Sequence, residues 1–289
     1  MSDIQGLLQH IQANPDDDVP RLVAADWYEE HGDAIRAGYI RGSVALARLP
    51  EWDRSPAEEN RLTKILHSHE HDWLTALGLT PIVEWERGFP REIHVSAPTF
   101  LAQAEAITEA CSAISLHDAL PCVDHLAACT ALERLRSLRV GGDRTVQATY
   151  APLLASPYLH SLKVLEVGQL TREEYDLLGR GALLSQLEEL RILEVENAGL
   201  LAFLQRTDPS RLRQLLLTGY RLTAESLRAL GRLPWLSRLN RLELTFSIEG
   251  NPWTALADWP SLTELTDLQL SACELLSGGA TALAASPML

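Results

Sequence analysis

The 289-residue chain is 46% hydrophobic and 22% charged, an ordinary balance for a globular protein, and its length allows one large or two modest domains. Thirty-nine acidic against 25 basic residues give a formal charge of -14, which disfavours nonspecific attraction to nucleic acid or anionic membrane and favours a basic protein partner. Met1-Ser-Asp-Ile4 lacks a basic stretch followed by an apolar run, and no segment approaches the roughly 18 uncharged apolar residues of a membrane span, so a cytoplasmic protein is expected.

Ile4, Leu7, Leu8 and Ile11 keep the i, i+3, i+4, i+7 spacing of one helical face, and Asn14-Pro15 stops that helix. A second helix follows Asp16-Asp-Asp18, whose carboxylates sit at the positive end of the dipole ahead of Pro20, and Gly32 ends it. The pattern predicts a third helix from about Asp33 to Leu49, weakened in propensity by Gly38 and Gly42. A fourth, from about Pro56 to Leu77, carries Leu62, Ile65, Leu66, Trp73 and Leu77. Together they make a small all-α domain over residues 1–80, with the boundary at Gly78-Leu-Thr-Pro81.

The stretch Asn14-Pro-Asp-Asp-Asp-Val-Pro-Arg-Leu-Val-Ala-Ala-Asp-Trp-Tyr-Glu-Glu-His-Gly-Asp33, with Tyr39-Ile40-Arg41, resembles the N-terminal repeat-companion domain that accompanies leucine-rich repeats in planctomycete-type bacterial proteins. The likeness covers about the first 50 residues closely and the helix to Gly78 loosely. That family has a Glu and a larger residue where this chain has Gly38 and Gly42, so the third helix is expected to be frayed or closely packed. The resemblance implies an intracellular bacterial repeat protein and brings no catalytic residue, because the family has no assigned activity.

Beyond Trp85-Glu-Arg-Gly-Phe89 a spacing of leucines takes over, and Ile93-His-Val95 and Ile114-Ser-Leu116 fit it as degenerate first copies. The plainest copy is Leu159, Leu162, Leu165, Val167, with others at Leu132/Leu135/Leu138/Val140, Leu187/Leu190/Leu193/Val195, Leu236/Leu239/Leu242/Leu244 and Leu262/Leu265/Leu268/Leu270, and a short one at Leu212/Leu215/Leu217. The third apolar positions are 27, 28, 22, 27 and 26 residues apart, the period of leucine-rich repeats. Strand-like alternation at each copy, and a capping box at Thr171-Arg-Glu-Glu174 opening a helix, predict strand and helix units that bury their leucines only by stacking. The fold class expected is therefore α/β: over residues 81–289, a leucine-rich-repeat solenoid with a concave parallel sheet and helices on the convex face. Residues near 138–140, 165–167, 193–195, 215–217, 242–244 and 268–270 are its consecutive strands.

In that frame the outward residues of successive strands are Arg139, Glu166, Glu194, Leu216, Glu243 and Gln269, followed two residues on by Gly141, Gly168, Glu196, Thr218, Thr245 and Ser271. Glu166 beside Glu194 would be a like-charge contact across about 4.8 Å, which stability alone does not favour. Two readings follow: a solvated charged face relieved by Arg139 or Arg241, or an acidic binding surface for a protein partner. The candidate site is thus Arg139, Glu166, Glu194, Glu196, Glu243 and Gln269, in a noncatalytic interaction module with no cofactor.

The alternative function is a metal-dependent enzyme centred on His67-Ser-His69-Glu-His71-Asp72, where His67 and His71 share a helical face at i, i+4. The sequence is not H-E-x-x-H, and solvated helix is the simpler reading. Cysteines 111, 122, 129 and 273 form no C-x-x-C pair and read as small apolar residues, with Cys122 and Cys129 the one candidate redox pair. No nucleophile elbow or phosphate loop is present, the glycine pairs 141–142 and 278–279 read as turns, and Asp26, Glu29 and Glu30 read as a solvated face. Ala285-Ser-Pro-Met-Leu289 repeats Ala155-Ser-Pro-Tyr-Leu159 in phase without a strand after it, so the strand at 268–270 is expected to be an edge through which the chain self-associates, or else the end of a fragment.

Overall fold

The computed structural model describes residues 3–78, 82–141, 149–195, 197–222, 224–248 and 264–271, with the single positions 256, 259, 281 and 284. The chain is mixed α/β and forms two compact units, Met1–Ser115 and Leu116–Leu289.

The first unit opens with four helices where the apolar spacing places them: α1 (Asp3–Ala13), α2 (Val19–Glu30), α3 (Ala34–Ala47) and α4 (Pro56–Ala76). Ile11, Ala24, Ala25, Ala37, Ile40 and Val44 join in one buried cluster, against which Ile4, Leu7 and Leu8 pack. Gly32, at φ 89°, turns the chain out of α2, and the Asp33 side chain accepts from Arg36 N at 2.9 Å to start α3. Neither Gly38 nor Gly42 frays α3. A Cβ on Gly42 would lie 2.8 Å from Leu62 Cδ2, so α3 meets α4 closely at that point.

After α4 come β1 (Ile82–Glu86) and β2 (Phe89–Ser96), then α5 (Ala97–Ala110) and β3 (Ala113–His117), which crosses the division between the units. The apolar triplets 93–95 and 114–116 lie within β2 and β3, while β1 is an addition to the sequence reading. It pairs antiparallel with β2 across the two-residue turn Arg87-Gly88, where φ values of 50° and 86° match the twist of a hairpin. Gly88 is required twice over, because a Cβ there would also come 2.7 Å from Ile40 Cα. The first compact unit therefore runs past the helices, and the expected boundary near residue 80 falls inside it, between α4 and β1.

Arg36 is buried inside this unit at 3% exposure, with its guanidinium 4.1 Å from the Trp73 ring centre, 4.8 Å from Trp85, 5.7 Å from Tyr28 and 5.8 Å from Phe89. Ring faces substitute for hydrogen-bond acceptors around its Nε and Nη1, which have none among the described residues. Burial pushes its pKa down to about 10.

In the second unit β4 (Ser137–Val140), β5 (Val164–Val167), β6 (Glu189–Ile192), β7 (Gln214–Leu222), β8 (Arg241–Ile248) and β9 (Asp267–Ser271) are parallel neighbours in chain order. The short α6 (Val123–Ala127) precedes them, and α7 (Ala151–Leu154), α8 (Arg172–Arg180), α9 (Ala182–Gln186), α10 (Asn197–Arg206) and α11 (Ala224–Gly231) lie in the connections. Leu138, Leu165, Leu190, Leu215, Leu242 and Leu268 stand in one register row, and Val140, Val167, Ile192, Leu217, Leu244 and Leu270 in the next. The first five members of each row are at most 2% exposed.

One strand corrects the sequence reading. Residues 193–195 are not the strand after β5: Leu190 and Ile192 occupy the two inward positions, three residues earlier than expected. The inward rows then repeat at 27, 25, 25, 27 and 26 residues, more even than the frame built on Leu193. A matching frame, Leu184, Leu187, Leu190, Ile192, was present three residues upstream, and all four side chains are buried.

Just ahead of each ladder from β4 to β9, one carbonyl accepts twice. The oxygen of Arg136 accepts from the amides of Lys163 and Val164, that of Lys163 from Glu188 and Glu189, that of Glu188 from Arg213 and Gln214, that of Arg213 from Asn240 and Arg241, and that of Asn240 from Thr266 and Asp267. The connections pack by side chains instead. A Cβ on Gly179 of α8 would sit 3.2 Å from the Phe203 ring, and one on Gly199 of α10 would sit 3.1 Å from the Tyr175 ring, so each helix offers a glycine to the other's aromatic. The expected capping box forms at α8, and its Glu174 is 1% exposed. One Glu174 oxygen accepts from Thr171 N at 2.6 Å and Thr171 Oγ1 at 2.8 Å, the other from Tyr150 N at 2.6 Å and Thr149 Oγ1 at 2.8 Å. A buried carboxylate so surrounded by donors links the start of α7 to the start of α8. Among the described residues no helix is long and apolar enough to cross a membrane.

Candidate functional site

The outward face of β4 to β9 is set by strand alternation: leucines turn to the helix side, and the residues between them turn away. Register puts Arg139, Glu166, Arg191, Leu216, Glu243 and Gln269 in one row across the six strands. Of the expected site residues, Arg139, Glu166, Glu243 and Gln269 share this row. Glu194 does not. It follows β6, is exposed and has a φ of 56°, and Arg191 holds the place assigned to it. Glu196 lies outside the described residues.

The substitution of Arg191 for Glu194 changes the electrostatics of the face. Glu166 is flanked by two cations, with Oε2 3.7 Å from Arg139 Nε and 3.6 Å from Arg191 Nη1, and Arg191 also pairs with Glu189 of its own strand. No column of adjacent glutamates forms here. On the other side of Leu216, Arg241 Nη2 lies 3.3 Å from Glu243 Oε2 and 3.4 Å from Gln269 Oε1, while Arg241 Nε lies 3.4 Å from Asp267 Oδ2. Two ion-pair clusters of mixed sign thus flank one leucine, which is 8% exposed. The charged side chains keep part of their surface in water, from 12% for Glu189 to 50% for Asp267, so each pair contributes at most about 1 kcal/mol but fixes where the charges sit.

Arg191 and Glu189 were missed by sequence reading because the leucine frame was set three residues late, and evenness of the repeat length is the signal that finds them. The capping-box Glu174 belongs to the packing of the connections, and its donors leave it no chemical role to play on this face.

His67 and His71 are exposed on α4. The three-ligand group that gathers among the described residues is a different one, Glu84, Glu92 and His94 on β1 and β2. Cys111 is buried, with Sγ 3.3 Å from the carbonyl oxygens of Arg91 and Ala113, and burial above all pushes its thiol up to about 12. Cys122 and Cys129 are free thiols of intermediate exposure, and Cys273 lies outside the described residues. Asp26, Glu29 and Glu30 are exposed on α2, the first two each 2.6 Å from Arg41. On the helix side of the second unit a depression of about 110 Å³ is lined by Tyr175, Asp176, Phe203 and Arg206, smaller than the several hundred Å³ of usual ligand pockets. No known family model matches the chain, and a search of curated proteins finds no significant relative.

Proposed function

We propose that this chain is a noncatalytic protein-interaction module of the bacterial cytoplasm. In this reading the second unit is a leucine-rich-repeat solenoid whose concave sheet face binds a protein, and the N-terminal helices are its repeat-companion domain. The observation that carries the proposal is the row Arg139, Glu166, Arg191, Leu216, Glu243, Gln269, a broad outward face on regular strands with charges held in place and an apolar centre. Prior ordering of the arginines and glutamates lowers the entropic cost of engaging a partner. The net charge of -14 steers a basic partner toward the chain and disfavours nucleic acid and anionic membrane, while the local mixture of signs selects a partner surface that carries both. The last described strand, β9, keeps Leu268 and Leu270 half-buried, and self-association through that strand is part of the same proposal.

The test is affinity capture from the native organism with the wild-type chain and with Arg191→Glu and Leu216→Arg, each checked for unchanged circular dichroism. A partner retained by the wild type and lost by both variants supports the face. Equal retention by all three would move the interaction elsewhere. Light scattering of the wild type against Leu270→Lys tests the edge, with a monomeric wild type removing self-association.

A further inference from the structure

The first unit holds a group of side chains that the interaction reading does not use. Glu84 on β1 stands opposite Glu92 on β2, and His94 follows two residues along β2 on the same side as Glu92. The register between the strands slips just after Glu84, where Trp85 pairs with Pro90 and Arg91 is passed over, so a bulge adjoins the group and sets which side chains face each other. One ligand atom from each of Glu84, Glu92 and His94 lies within 4.8 Å of the other two, and His94 Nε2 is 3.1 Å from Glu84 Oε1.

From this geometry we infer that Glu84, Glu92 and His94 form a binding site for a divalent transition-metal ion, zinc in the first place. With zinc bonds of about 2.0–2.2 Å, tetrahedral ligands stand roughly 3.3–3.6 Å apart. The His94–Glu84 separation is already close to such an edge, and the other two separations are at most 4.8 Å. Glu92 is 3% exposed and stands opposite Glu84 across the strand pair, so two carboxylates and one imidazole are gathered on paired strands. One imidazole with two carboxylates suits zinc or another late first-row ion better than magnesium or calcium, which take all-oxygen shells. The ion would replace the proton between His94 Nε2 and Glu84, join β1 to β2, and leave its fourth position to water. This site lies in the other unit from the interaction face, so neither proposal depends on the other.

The experiment uses the full chain, stripped with chelator and titrated with zinc chloride by calorimetry, with melting followed in parallel. The expected result is one zinc per chain and a raised melting temperature, with affinity reduced at least about 100-fold in Glu84→Gln and in His94→Gln. Both replaced side chains are exposed or half-buried, so the variants test binding apart from folding. The double variant His67→Ala with His71→Ala should bind as the wild type does. The inference is overturned if the wild type takes up no stoichiometric zinc, if both Glu84→Gln and His94→Gln retain it, or if the histidine pair on α4 carries the binding.

Discussion

The two units solve the same problem, how to keep a charged group inside a fold, in opposite ways. In the first, Arg36 sits among the rings of Trp73, Trp85, Tyr28 and Phe89, and its Nε and Nη1 have no hydrogen-bond partner among the described residues. In the second, Glu174 is surrounded by four donors from two chain segments, and the outward charges pair strand by strand. The difference follows from architecture. A row of like strands returns donors and acceptors at fixed intervals, so polar groups find partners by register, whereas helices packed once against a hairpin meet each other through shape and must use what surface is there. Among the described residues the exposed large apolar side chains are distributed in the same sense: Val19, Val23, Ile35, Leu49, Trp52 and Ile82 all belong to the first unit.

Glu174→Ala is the largest test of this contrast. It removes the carboxylate that accepts from the buried Tyr150 amide and from the amide of the exposed Thr171, and should lower stability by about 4 kcal/mol in urea melts. A loss under about 1 kcal/mol would mean that the network links α7 and α8 without stabilising them. In the first unit, Gly88→Ala combines a positive φ with a Cβ pressed on Ile40, and should cost about 3 kcal/mol, whereas Gly38→Ala, with open space around it, should be neutral or stabilising. Equal effects at the two glycines would remove shape as the principle of that unit.

A smaller effect concerns pH. Cys111 has its thiol raised from 9.0 to about 12, mainly by burial, so the folded state holds a proton that the unfolded chain releases first. Its contribution is complete below pH 9 and declines as pH rises toward 12, by about 1 kcal/mol between pH 9 and pH 10. Arg36 and the raised Tyr28 and Tyr39 enter from about pH 10 upward, Arg36 with the opposite sign because its pKa is lowered to about 10. Denaturant melts between pH 9 and pH 10 should lose most of their slope in Cys111→Ala. The smallest effect is Glu166→Gln, which separates paired charges from a column of repelling ones: flanked by Arg139 and Arg191, it should lower stability by about 0.5 kcal/mol, while repelling neighbours would make the same change stabilising.

What could be read from the sequence divides along the same line. Five of the six strands in the second unit stand where the leucine spacing places them, because each inward position recurs with the same chemistry. The sixth was misplaced by three residues, since Leu184, Leu187, Leu190, Ile192 and Leu187, Leu190, Leu193, Val195 satisfy one pattern equally well, and only packing chooses between them. That slip carried the candidate face with it, replacing Arg191 by Glu194 and an alternating row by an acidic one. In the first unit the helices were legible from apolar periodicity and caps. The hairpin was not, as its turn uses Arg87 at positive φ in place of the usual Asn or Asp, and the setting of Arg36 depends on rings up to 53 positions away in the chain.

The carbonyl joints have a consequence for how the second unit can change length. Because Lys163 presents to Glu188 and Glu189 what Glu188 presents to Arg213 and Gln214, removing residues 188–212 would bring Arg213 and Gln214 to the acceptor left open on Lys163. The leucine rows would close in phase. Removing a single residue inside a strand would instead turn every later leucine of that strand toward water. A change of length in this half of the chain is therefore expected to keep the register only in whole modules of 25 to 27 residues, which an in-frame deletion of 188–212 followed by a urea melt would check.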